Sequence, residues 1–225
     1  MNINSSFIQT EKRIELKEVF ENQDRNLIDR AISVSRFSFR QTYPNRIVNS
    51  LYLDTLNFKS LEESIEGGSL RKKARIRWYG KQLSETDGTL EFKLKHGHLS
   101  WKKLLKKAFI IDPSENSWDK FVSPTSYNGI AISYLYNLIP QSIVSYHRSY
   151  YASFDDKVRI TIDRELQTYS QLSSFYCNLK YEKLFLNKII MEIKVSENNQ
   201  IILKEVLNDF PFSQKRFSKY CASLI

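Results

Sequence analysis

The stretch Leu70 to Gly80, LRKKARIRWYG, decides the fold. Read as a strand, it places Arg75 and Arg77 on one face and Ile76 and Trp78 on the other, because successive side chains of an extended chain point to opposite sides. The apolar face marks a core. The other face carries two guanidinium groups that stay ionised at any working pH, and a ladder of permanent charge needs an anion to justify it.

The same two-faced pattern recurs along the chain. RIELK sets Arg13, Glu15 and Lys17 against Ile14 and Leu16, and TLEFKLK sets Glu91, Lys93 and Lys95 against Leu90, Phe92 and Leu94. KVRITID opposes Arg159, Thr161 and Asp163 to Val158, Ile160 and Ile162. IMEIKV opposes Glu192 and Lys194 to Met191, Ile193 and Val195. SIVSYHRSYYAS puts Tyr146, Arg148 and Tyr150 on one side, and RIVNSLYLDT reads as a further strand that turns at Asp54. Helical spacing predicts helices over about Asn22 to Ser33, Leu56 to Ile65 and Asn128 to Leu138, with two more from about Gln200 broken near Pro211. The fold class is α+β, an antiparallel sheet with helical cover, and we expect one domain over residues 1–225.

Ordinary antiparallel strands put one face on the core and the other in water, with a solvent face of mixed polar residues. Here the polar faces are dense in arginine and in Glu-x-Lys pairs. Closing the sheet into a barrel with those faces inward would focus a positive potential around a few carboxylates. Arginine forks hold phosphate oxygens bidentately, while a hard cation such as Mg²⁺ or Mn²⁺ needs only one or two carboxylates beside phosphate and water. The pattern therefore points to a tunnel for phosphate chains and a divalent metal.

Composition agrees with an anionic partner. Among 225 residues, 34 Lys and Arg stand against 25 Asp and Glu, a net charge of +9. No apolar run approaches a membrane span and the N-terminus lacks a signal-peptide core, so we expect a soluble, cytoplasmic chain. Cys177 and Cys221 are too few for a disulfide scaffold. His96 and His98 have no Cys or third His nearby to complete a zinc site. The sequence has no phosphate-binding glycine loop, dinucleotide fingerprint or nucleophile elbow, and Gly67-Gly68 reads as a turn before the arginine strand.

Taken in order, SLYLDT, ARIRWYG, LEFKLK, SYHRSYY, KVRITID, MEIKV and RFSKY resemble the vacuolar transporter chaperone catalytic domain, of the triphosphate tunnel metalloenzymes, from about Arg13 to Tyr220. The resemblance implies an eight-stranded antiparallel β-barrel tunnel covered by helices. It also implies a polyphosphate polymerase that transfers the γ-phosphate of ATP to a growing chain with Mn²⁺ or Mg²⁺. Carried over by residue, Arg75, Arg77, Lys93, Arg148 and Arg159 take catalytic places. Lys17, Lys194, Ser218 and Lys219 bind phosphate. Glu192 is the metal ligand, and Glu91 either supports the metal or pins neighbouring bases. HGHLSWKKLLKK reads as a basic loop, and Lys103 in it is assigned to the tunnel wall.

The wider superfamily begins with Glu-x-Glu-x-Lys, whereas this chain has Arg13-Ile14-Glu15-Leu16-Lys17, which fits the polymerase branch better than the hydrolytic ones. Implied partners are ATP, pyrophosphate, tripolyphosphate and polyphosphate, with no specific nucleic acid and no membrane span. Eukaryotic relatives carry a regulatory domain and membrane helices that this sequence does not contain, so the resemblance implies a stand-alone enzyme. Two other classes stay open: a hydrolase of tripolyphosphate or RNA 5′-triphosphates, using Glu15 or Glu91 to activate water, and a non-catalytic module binding polyphosphate or nucleic acid. The second could stack bases on some of its 14 Phe and 13 Tyr residues.

Overall fold

The computed structural model describes residues 7–80, 85–125, 135–172, 174–211, 213 and 217–225. Eight strands form the ring: β2 (Arg13–Glu21), β3 (Arg40–Asp54), β4 (Leu70–Tyr79), β5 (Thr86–His96), β6 (Leu99–Ile111), β8 (Ile139–Ala152), β9 (Val158–Ser170) and β11 (Lys188–Ser196). They pair in the order β6-β2-β11-β9-β8-β3-β4-β5, and β5 pairs back onto β6, so the sheet closes on itself with every contact antiparallel. Short strands β1 (Ile8–Gln9), β7 (Val122–Pro124) and β10 (Leu184–Leu186) attach to its outside edges. Closure leaves no long open edge.

The sequence alternation is realised with the apolar face outward. Ile160 and Ile162 of β9 and Ile189, Met191 and Ile193 of β11 pack against Ile28 and Ile32 of α1 (Arg25–Val34) and Leu203 and Val206 of α4 (Gln200–Leu207). Ile76 and Trp78 of β4 join Leu90 and Phe92 of β5 and Phe121 of α3 (Trp118–Phe121). Each of these side chains is almost wholly buried, and burying an Ile, Leu or Phe contributes about 1.5–3 kcal/mol. The barrel is thus held from outside, leaving its interior to polar chemistry.

One sequence reading changes. The basic "loop" after Lys95 is strand β6, the eighth of the ring; its alternation is hidden by consecutive lysines, and Lys107 takes the left-handed region at φ 51°. The third predicted helix falls mostly on residues 126–134, outside the described residues. A bulge in β9 between the His147 and Ser145 pairings, with Glu165 at φ 54°, resets the face of the strand so that both Asp163 and Leu166 turn inward.

The final helix α5 (Lys219–Leu224) does not lie on the outer surface. Tyr220 packs with the inward-facing Val48, Tyr52, Val144, Tyr146, Leu166 and Ile190, stacking on Tyr52 at 5.2 Å between ring centroids. Its hydroxyl donates to the fully buried Asp54 at 2.6 Å. The Asp54 carboxylate also accepts from the backbone N–H groups of Thr55, Ser60 and Leu61, the last two in the first turn of α2 (Lys59–Glu66). One carboxylate therefore ties β3, α2 and α5 together. Asp54→Ala is expected to lower unfolding stability by about 2–4 kcal/mol, because it strands several buried donors. Tyr220→Phe, which removes one hydrogen bond, should cost about 1–2 kcal/mol; urea unfolding of both variants checks the order.

Candidate functional site

Inside the ring lies a cavity of about 710 Å³. Its mouth is formed by the α2–β4 turn at Gly67, Gly68 and Ser69, the β5–β6 hairpin at Gly97 and His98, and Phe217 and Ser218 ahead of α5. Its wall carries Arg13, Lys17, Arg71, Lys73, Arg75, Arg77, Lys93, Lys95, Lys102, Arg148, Lys194 and Lys219, with Glu15 and Glu192 as the only carboxylates among the described residues. Even with the buried Glu91 and Asp163 counted behind that wall, formal charges leave a surplus of eight, although burial pulls the pKa of Lys102 well below its ordinary range. Low-dielectric walls around such a surplus select a compact polyanion.

Four carboxylates organise the cations. Glu91, cross-strand neighbour of Arg75, receives Arg75 at 2.6 Å, Arg77 at 3.2 Å and Lys102 at 3.0 Å. Asp163 is fully buried, and the Arg148 guanidinium donates to both of its oxygens, at 2.5 and 2.6 Å, while Lys219 of α5 approaches to 2.5 Å. Glu192 meets Lys194 at 2.7 Å, Lys17 at 3.2 Å and Lys219 at 3.6 Å. Glu15, on the neighbouring strand, is paired with Lys93 and Arg13.

This crowding sets the protonation states. Burial alone would raise the pKa of Glu15, Glu91 and Glu192, yet the adjacent cations hold all three well below the usual carboxylate range. All are ionised at neutral pH. Lys93, Lys194 and Lys73 go the other way: poor hydration in the cavity wall brings each down to about 8. Lys219 is also buried, but Asp163 and Glu192 beside it raise its pKa and keep it charged.

Most residues singled out in the sequence meet at this wall. Lys17, Arg75, Arg77, Lys93, Arg148, Glu192, Lys194, Ser218 and Lys219 all line the cavity. Ser218 Oγ accepts from Lys73 at 2.7 Å and the Phe217 carbonyl accepts from Lys17 at 3.3 Å, so the segment before α5 belongs to the site. Glu91 is 5% exposed beneath its three cations and does not reach the lining, a placement suited to pinning bases rather than to holding a metal.

Lys103 is exposed on the outer face of β6, paired with the outward Phe92; Lys102, paired with Lys93, is the one that turns inward. Arg159 keeps the register of Lys194 but is exposed at the start of β9 and does not line the cavity. Arg71 and Lys73 were missed, although the alternation of Arg75 and Arg77 continues back through both. Tyr52 had no sequence signal, because an inward tyrosine on an amphipathic strand reads like a core residue.

Among the described residues no cluster of three His, Cys, Asp or Glu side chains forms a preset metal cage. The two lining carboxylates suit a different kind of metal site. Glu15 and Glu192 are diagonal neighbours across the β2–β11 ladder, and Mg²⁺ or Mn²⁺ takes one or two carboxylates with the rest of its shell from phosphate and water.

Solved structures of the same architecture include a protein from Vibrio parahaemolyticus described as an adenylate cyclase candidate, 12% identical, covering 95% of this chain and 98% of its own, with a TM-score of 0.52. Another is an adenylyl cyclase-like protein from Hippeastrum with a dominant triphosphatase activity, 13% identical, covering 95% of this chain and 94% of its own, TM-score 0.53. At such identities the likeness establishes the fold alone, a closed antiparallel barrel with helical cover. No curated protein matches the chain by sequence. The family model of the VTC domain matches residues 12–225, from the strand of Glu15 and Lys17 to the helix of Lys219, and the chain belongs to that family.

Proposed function

We propose that this protein is a polyphosphate polymerase: a phosphotransferase that moves the γ-phosphate of ATP onto the end of an inorganic polyphosphate chain inside the tunnel. The observation that carries this reading is the cavity wall itself, twelve cations against two carboxylates that are already engaged. Arg75, Arg77, Arg148, Lys93 and Lys102 would grip the triphosphate, with Lys17, Lys73, Lys194, Lys219 and Ser218 around them. Arg159, at the rim, is assigned to the part of a chain that projects beyond the cavity.

Phosphoryl transfer asks chiefly for in-line positioning and for charge to meet the equatorial oxygens in the transition state. Three guanidinium groups locked by Glu91 and Asp163 supply both, since their forks are oriented before substrate arrives. Glu192, with Glu15 beside it, would hold Mg²⁺ or Mn²⁺, and that ion when bound would neutralise charge on the phosphate oxygens.

An acceptor phosphate is already anionic at neutral pH and needs no base. Hydrolysis would need one to activate water, and the strongly depressed Glu15 and Glu91 are poor bases held in ion pairs. That contrast favours transfer over hydrolysis of tripolyphosphate.

Incubating the purified protein with ATP and Mn²⁺ should yield ADP together with a phosphate polymer resolved on a gel. Free phosphate without polymer would replace the polymerase by a hydrolase, and no ADP at all would leave a binding module. Arg77→Ala should stay folded, because Glu91 retains Arg75 and Lys102, and lose roughly 10- to 100-fold in kcat/KM, the value of a charge-assisted phosphate contact. Glu192→Gln should still bind tripolyphosphate while needing far more Mn²⁺ for turnover, read by metal titration.

The lysine values predict a pH profile. Above about pH 8 Lys93, Lys194 and Lys73 lose their protons in the free enzyme, so kcat/KM should fall between pH 8 and 9.5 while kcat, measured on a complex whose bound polyanion keeps those lysines protonated, falls later. A kcat/KM flat across that range would show that the lysines are not the groups gripping substrate.

A further inference from the structure

On β4 and β8 the cavity lining includes Arg77, Tyr146 and Arg148. One rung beyond Tyr146, away from α5 along β3, stands Arg46, the direct ladder partner of Arg148 and itself outside the lining. Its guanidinium carbon lies 4.9 Å from the ring centroid of each of three tyrosines, Tyr43, Tyr79 and Tyr150. Tyr43 and Tyr150 meet edge to face at 5.6 Å, and Tyr43 and Tyr79 are 55% and 41% exposed, so this aromatic box opens to solvent.

Arg46 differs from most arginines of the tunnel in its partners; the lining residue Arg71 also lacks a carboxylate partner among the described residues, and what sets Arg46 apart is its cage of three tyrosine rings. Arg13, Arg75, Arg77 and Arg148 each meet a carboxylate, whereas among the described residues Arg46 forms no ion pair and donates no hydrogen bond, and its Nε is buried without a partner. Ring faces attract a guanidinium through their quadrupole and hold it in place, yet they do not neutralise it and do not occupy its N–H donors, which lie in the plane of the fork. A cation fixed in this way keeps its full charge for an external anion.

Its position says which anion. Arg46 and Arg148 flank the same Tyr150 ring, at 4.9 and 5.9 Å, so their guanidinium carbons are within about 11 Å of each other. Arg46 is not part of the cavity lining, so an anion gripped at Arg75, Arg77 and Arg148 reaches it only by extending past that lining, as a longer linear phosphate chain can.

We propose that Arg46 in its tyrosine box is a distal subsite for polyphosphate, engaging phosphate units beyond those held at Arg148 and so favouring long chains over tripolyphosphate. This rests on the reading of the cavity as a phosphate-chain site, but not on the direction of the reaction. The box sets a charged handle at the end of the tunnel opposite the α5 side, where a lengthening chain would emerge.

The test compares two ligands by calorimetry at fixed moderate salt. For Arg46→Gln, tripolyphosphate affinity should stay within about two-fold of the parent while long-chain polyphosphate binds roughly ten-fold or more weakly, the loss expected of one charge-assisted contact. Arg46→Lys, which restores the charge without the flat fork, should recover part of the long-chain affinity. Equal losses for both ligands, or no loss for either, would reduce Arg46 to a structural clamp.

A second measurement needs no variant. In the parent protein, long-chain polyphosphate should protect Arg46 from phenylglyoxal, followed by mass spectrometry, and tripolyphosphate should not. Unprotected Arg46 with saturating long chain would overturn the subsite. Failure of tripolyphosphate to bind the parent at all would instead overturn the tunnel reading, so the two failures are distinct.

Discussion

Like charges cannot be crowded into a closed barrel without counter-charges, and the whole interior is arranged around that constraint. Two unit charges 4 Å apart repel by about 4 kcal/mol at an effective dielectric of 20. Glu91 relieves this by meeting Arg75, Arg77 and Lys102 at once, and Asp163 does the same for Arg148 and Lys219. Each carboxylate also acts as a jig, because a fork that donates to a fixed acid has its direction set. The acids are too few to neutralise the wall. What remains is a surplus that suits a polyanion, and the same ion pairs that make the barrel tolerable leave that surplus facing its cavity.

The cost of such an interior is met on the outside. Helices α1 and α4 cover the β9–β11 side and α3 with the Trp78 cluster covers the β4–β5 side, so the hydrophobic effect acts where a barrel of this kind would ordinarily face water. Helix α5 is the exception. Its Tyr220 belongs to a small apolar cluster inside the ring, and its Lys219 and the preceding Ser218 belong to the polar wall. Structure and site therefore share one six-residue element, tied through Asp54 to the strand that faces Arg75.

Legibility followed physical simplicity. Strands with one clean polar face, such as KVRITID and MEIKV, were readable because a period of two survives any register. Strand β6 was not, since Lys102-Lys103 and Lys106-Lys107 place charge on both faces and a positive φ at Lys107 interrupts the alternation. The misplaced Lys103 has the same cause: without the β5–β6 register, nothing in two adjacent lysines says which one turns inward. Arg159 sits on the expected side of β9, but the depth of a residue along a strand is a property of the barrel's closure and not of alternation.

The two-faced strands and their charge were legible in the residues alone, and the closed antiparallel architecture was implied by a family resemblance carried by motifs spread over nearly the whole chain. Those are local properties, set by side-chain periodicity and composition. Three-dimensional packing alone sets which cations share a carboxylate, that Lys102 and not Lys103 meets Glu91, that α5 reaches the tunnel wall, and that three tyrosines from β3, β4 and β8 surround Arg46. Each of these is a contact between residues far apart in the chain, and its geometry depends on register and stagger around the ring, which no single strand encodes.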